Sequence, residues 1–186
     1  RWLGAALEFD DGDLAWEIAP HAAALAGHVQ DSEVKDNHTA HLLGNLAGFE
    51  YIQGRMDQAM RLLHLELDWL EDLADASQLL MAQTRISLAQ MYAHHDTSDP
   101  VGQAVSLLLP LVEYVEQLPG EPDGEPAAAL LATQALIVLR NLAGAHPDDP
   151  RLRPALEAFT TLTDHLPKTA AVTEHLEAEQ VARLFG

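Results

Sequence analysis

The chain has 186 residues, 48% of them hydrophobic, enough to bury one substantial core. It has no cysteine, which excludes a disulfide framework, a thiolate zinc site and a cysteine nucleophile. With 29 acidic and 10 basic residues the net charge is −19, which repels phosphate backbones and argues against direct nucleic-acid binding.

Alanine and leucine dominate, β-branched residues are sparse and no alternating run appears, so the fold class is all-α. Breaks rich in Gly, Pro or Asp divide the chain into about nine helices. In chain order these are Trp2–Phe9, Leu14–Val29, Glu33–Ile52, Met56–Ala74, Gln78–His94, Val101–Gln117, Ala127–Gly144, Arg151–His165 and Thr169–Phe185. Pro20 should kink or delay the second. Ser32 and Ser77 are placed as N-caps, and Pro100, Pro126 and Pro150 suit first turns. Loops this short make successive helices antiparallel.

Arg1–Gly12 has no basic region followed by an apolar run, so no secretory leader is read there. The longest apolar stretch, Pro126–Leu139, is too short for a bilayer and carries Thr133 and Gln134. A buried helix, no membrane association and a cytoplasmic location are the expectations. The start at Arg1 and the end on "LFG" suggest a segment of a larger protein.

The tetrapeptide NLAG occurs at Asn45 and again at Asn141, opening with two of the chain's three asparagines. The copies align without a gap through Arg55 on Arg151, Met56 on Leu152 and Ala59 on Ala155. An offset of 42 places Gly12 on Gly54, Phe9 on Tyr51, and Ala5 on Ala47 and then Ala89, while Ala104 takes the place of Ala59. Small Ala47 and Ala59 suit the close approach of two helices in a hairpin. Leu46, Tyr51, Leu62 and Leu63 supply its apolar stripe, and Gly54 suits a left-handed helix end.

These features, carried by "NLAGFEYIQGRMDQAMRLLHLEL" (Asn45–Leu67), resemble a tetratricopeptide repeat of the longer variety found in kinesin light chains and many bacterial regulators. The flanking repeats match only in part: Ala93–His94 lack a turn glycine, Pro147 interrupts the third, and Glu17 replaces the return-helix alanine of the first. The resemblance implies a right-handed TPR-like α-solenoid over residues 1–186, with hairpins near 1–30, 33–74, 77–118 and 126–166 and a capping helix at 169–185.

It also implies a protein- or peptide-binding module, the sensing or partner-binding part of a bacterial regulatory or scaffold protein, and not an enzyme. The groove would be lined by His41, Gly44, Asn45, Gly48, Tyr51 and Ile52 from one leading helix and by Gln83, Ile86, Gln90 and His94 from the next. None of these is the lysine or arginine with which chaperone-binding members clamp a carboxylate; Arg85 and Arg140 reach such places only in a shifted register. The expected partner is a helix or peptide with apolar anchors, and a basic one if the acidity reflects a partner rather than salt adaptation.

The runner-up reading is a metal-binding protein or metal-dependent enzyme. His38 and His41 lie three apart on one helix face, with His64 and Asp68 across the hairpin as further ligands. A third reading is a structural homodimer formed through Ala127–Leu139 or Thr169–Phe185. No cofactor is called for, because the chain has no GxSxG elbow, phosphate-cradling glycine loop or HExxH. Glu8–Asp13 lacks a calcium loop's closing glutamate and reads as a solvated turn, and Trp16 and Trp69 read as packing residues.

Overall fold

The computed structural model describes residues 35–95, 97–120 and 124–166. No strand occurs among them. The helices are α1 (Asn37–Ile52), α2 (Met56–Asp72), α3 (Gln78–His94), α4 (Pro100–Leu108), α5 (Leu111–Gln117), α6 (Gly124–Ala145) and α7 (Leu152–His165), with a 3-10 turn at Leu118–Gly120. Six of the nine expected helices are therefore described, the sixth in two pieces, α4 and α5. Trp2–Phe9, Leu14–Val29 with Pro20, Thr169–Phe185, Glu8–Asp13, Trp16 and the hairpin near 1–30 lie outside the described residues. The chain divides between Met91 and Tyr92, inside α3, into two compact units.

In the first unit α1 and α2 form a hairpin. Helix α1 starts at Asn37 rather than Glu33, because Asp36 is its cap: Asp36 Oδ1 accepts from the Thr39 backbone at 2.7 Å, and Thr39 Oγ1 accepts from the Asp36 backbone at 3.0 Å. The helix ends as expected on Gly54, whose φ of 73° is the left-handed value. The Arg55 backbone donates to the Glu50 carbonyl and the Gly54 backbone to the Tyr51 carbonyl, both at 2.9 Å, which satisfies the final turn. Arg55 pairs with Glu50 and covers the Phe49 ring.

Ala47, Ala59 and Ala89 are completely buried, as close helix approach requires. Tyr51, expected in the apolar stripe, is instead 41% exposed, and Phe49 fills the core in its place. Tyr51 is the next-to-last residue of α1. Trp69 is buried as expected, with Lys35 Nζ over its ring at 5.6 Å. Helix α3 begins at Gln78 with Ser77 Oγ accepting from the Leu80 backbone at 3.3 Å. The α1 side chain Asn37 holds the loop before it, donating to the Asp75 carbonyl at 2.9 Å and accepting from the Ser77 backbone at 2.7 Å.

The second unit is built around α6, which packs against α4, α5, the 3-10 turn and α7. The single expected helix Val101–Gln117 is broken because Pro110 has no N–H to donate and its ring displaces the preceding turn. Helix α6 begins three residues before Ala127 and is longer than the apolar run seen in the sequence. Its stretch Pro126–Ala145 is long and apolar enough, by length and composition, to cross a membrane, but half of it is buried inside the protein. Ala128, Leu131, Ala132, Ala135, Leu139 and Leu142 are core residues of this unit. The apolar character of α6 is thus used in part internally.

Arg151 immediately precedes α7, as its aligned counterpart Arg55 immediately precedes α2. It donates from Nη1 and Nη2 to the two oxygens of Asp99 at 2.8 Å each, and from Nε and Nη2 to Asp149 at 3.0 and 2.7 Å. Asp99 is also the N-cap of α4, accepting from the Gly102 backbone at 3.1 Å. A side chain at Gly102 would collide with this fork. The Arg151 hydrogen bonds push the Asp149 carboxyl down to about 2 and hold Asp99 below the ordinary carboxylate range. Because both folded values are lowered, the stabilisation is present above the ordinary value of 3.8 and lost as pH falls toward 2. Arg151→Met is accordingly expected to lower the melting temperature at pH 7, with the gap to the parent closing as pH falls from about 4 to about 2. A gap independent of pH in a thermal melt series would show that the fork contributes packing rather than charge.

Most of the described cations are engaged in this way. Lys35 pairs with Asp72, Arg55 with Glu50, Arg85 with Glu71, Arg151 with Asp99 and Asp149, and Arg153 with Glu157.

Candidate functional site

The residues expected to line a groove fall into three groups. On α1, His41 is exposed, Gly44, Asn45 and Gly48 are half-buried, and Tyr51 and Ile52 stand 41% and 57% exposed. The two glycines lower the relief of this helix beside two apolar side chains left in solvent. On α3, Gln83 and Gln90 are exposed, but Ile86 is only 5% exposed, so it is a core residue and not a groove residue. It shares the buried stripe with Ala82 and Ala89, four residues before it and three after. His94 is exposed and belongs to the second unit.

The metal reading finds no assembled site. His38, His41 and Asp68 are exposed and His64 is half-buried. Among the described residues no group of three or more His, Asp or Glu is placed to share an ion, so these four side chains form no ligand set.

The structure draws attention instead to Glu66, which the sequence reading passed over. Its side chain lies on the buried stripe of α2 between Leu62, Leu63 and Leu70, and it is only 1% exposed. The signal was present: an acid at the third or fourth position from leucines on both sides occupies a core place in a helix.

Gly44 makes room for it. A Cβ at that position would stand 2.6 Å from Glu66 Oε2 and 2.7 Å from Oε1. From α3 the carboxyl meets the buried Thr84 hydroxyl, which itself donates to the Leu80 carbonyl at 2.9 Å. Oε1 has no hydrogen-bond partner among the described residues. Burial pushes the carboxyl up to about 8, against the lowering that a hydrogen bond donated by the Thr84 hydroxyl to a carboxylate would bring. A hydroxyl has one hydrogen, and that of Thr84 is spent on Leu80. The neutral acid therefore fits best, donating its own proton to Thr84 Oγ1.

In the second unit an open cleft of about 330 Å³ lies between α5, the 3-10 turn and α7. It is floored by Val115, Pro119 and Leu162 and edged by Glu116 and His165. The His165 ring is held against the Thr161 carbonyl, 2.6 Å from Nδ1, which fixes its orientation one turn back along α7.

No known protein family, no curated protein and no solved structure matches the chain.

Proposed function

We propose that this chain is a protein- or peptide-binding helical-repeat module. In this reading its hairpins stack as a right-handed TPR-like solenoid, and it serves as the partner-binding part of a regulatory or scaffold protein of the bacterial cytoplasm. The observation that carries this reading is the α1 surface, where Tyr51 and Ile52 are left exposed beyond the half-buried Gly44 and Gly48. The repeat reading is supported by the complete burial of Ala47, Ala59, Ala89, Ala104 and Ala155, each at a position the internal alignment assigns to a helix–helix approach. It is supported further by the two aligned arginines that precede return helices.

The occupant is an amphipathic peptide or helix whose apolar anchors meet Tyr51 and Ile52 and whose basic residues face the acidic surround. A net charge of −19 leaves little room for an acidic partner. Peptides selected from a display library on the intact chain should combine apolar anchors with lysine or arginine. Replacing Tyr51 and Ile52 together by alanine should weaken their binding about tenfold or more while leaving the helical circular dichroism unchanged. Equal affinity for parent and variant would remove the α1 surface from the binding site.

A further inference from the structure

We propose that the docking of α3 on the α1–α2 hairpin is a proton-linked latch, closed by an uncharged Glu66 carboxyl held between Gly44 of α1 and Thr84 of α3. This goes beyond the binding function and stands whether or not α1 binds a peptide.

The geometry supplies the parts. The acid projects from α2 toward α1 and α3, into space that a side chain at Gly44 would take. Polar contacts among the described residues join α3 and its preceding loop to the hairpin: Asn37 on the Asp75 and Ser77 backbone, Thr84 on Glu66, and Arg85 on Glu71 at 3.0 Å. Of these, the Glu66 contact is the buried one.

Among the described residues no ion partner awaits a charged carboxylate there. From α1 the facing residue is Gly44, while Glu50 is paired with Arg55 and His41 is exposed. From α3 the facing residue is Thr84, and the guanidinium of Arg85 is turned to Glu71. On α2 itself Leu62, Leu63 and Leu70 surround the acid; His64 is half-buried and Asp68 exposed. Desolvation raises the carboxyl, and no charged neighbour among the described residues contributes.

In the closed state the carboxyl proton goes to Thr84 Oγ1 and the Thr84 hydrogen to the Leu80 carbonyl. Ionised, Glu66 is an acceptor only. The Thr84 hydroxyl can then satisfy it only by releasing the Leu80 carbonyl, and Oε1 remains a bare charge among leucines. Lifting α3 off the hairpin gives the carboxylate water. Opening therefore releases a proton, and rising pH favours it until the closed form ionises as well, near pH 8.

Hydrogen exchange of the α3 amides Ala82–Leu88 tests this, with the parent and Glu66→Gln compared at the same pH so that intrinsic exchange cancels. Protection in Glu66→Gln relative to the parent should rise about tenfold per pH unit above about pH 5 and level off near pH 8. The slope should be steeper in α3 than in the α1 and α2 amides. A ratio that stays flat over this range, or one equal in all three helices, overturns the latch. If Glu66→Gln fails to fold, the carboxyl ¹³C resonance of Glu66 in the parent chain decides: titration near the ordinary value of 4.5 refutes the proposal, and titration above about pH 7 supports it.

Discussion

Glu66→Gln is expected to be about 2 kcal/mol more stable than the parent chain at pH 7, and no more stable than it at pH 5. In the folded protein the carboxyl keeps its proton up to about pH 8, whereas the unfolded chain releases it near 4.5. Between those values the unfolded state binds fewer protons, so raising the pH favours unfolding by about 1.4 kcal/mol per unit. At pH 7 this penalty is about 3 kcal/mol, and an amide, which cannot ionise, escapes it. The amide also brings a second N–H donor into a site with room for one, which costs about 1 kcal/mol and leaves the net gain near 2. Below about pH 5 the penalty disappears and the cost remains, so the order of stabilities reverses. Urea unfolding at the two pH values measures both; a variant less stable than the parent at pH 7 would show that Glu66 is ionised and compensated in the fold.

Gly44→Ala should destabilise the parent by about 1–2 kcal/mol and stabilise a Glu66→Ala background. The new methyl would stand 2.6–2.9 Å from three atoms of the Glu66 carboxyl group, which is tied to Thr84 and walled from solvent, so it cannot swing aside. Overpacking of this kind costs about 2–3 kcal/mol, and replacing a helical glycine by alanine returns about 1. Once the glutamate is cut back only the second effect remains, and the sign changes. A double-mutant cycle reads the coupling directly. If Gly44→Ala has the same effect in both backgrounds, the two residues do not touch in the way described.

How much of this could be seen in the sequence depends on how local the governing chemistry is. Gly54 was legible because a left-handed helix end depends on one residue and its immediate neighbours. The span Gln78–His94 was legible for the same reason, since Ser77 caps it from adjacent sequence. Pro110 was equally local and still passed over: the apolar period runs unbroken across it, and packing keeps both halves in the core of one unit. The start of α1 was missed because Ser32 and Asp36 are both good caps, and the reciprocal partner Thr39 belongs to Asp36.

The candidate site was less legible. Tyr51 and Ile52 were singled out by register, whereas Ile86 looked equivalent and turned out to be buried. Whether an apolar helix residue faces a core or a surface is decided by which other helix lies over it. Glu66 was hidden by its company. In a chain with 29 acidic residues one more carboxylate carries no signal, and only its place among leucines, opposite a glycine two turns before the hairpin bend, marks it.

The pairing of Lys35, Arg55, Arg85, Arg151 and Arg153 with the protein's own carboxylates bears on how a partner would arrive. With those cations neutralised in place, few positive sites remain to interrupt the field of the surplus acids. An approaching basic peptide would then be drawn in over a distance comparable to the Debye length, about 10 Å in 0.1 M salt. Salt would act mainly on how fast such a complex forms, while the apolar anchors set how long it lasts.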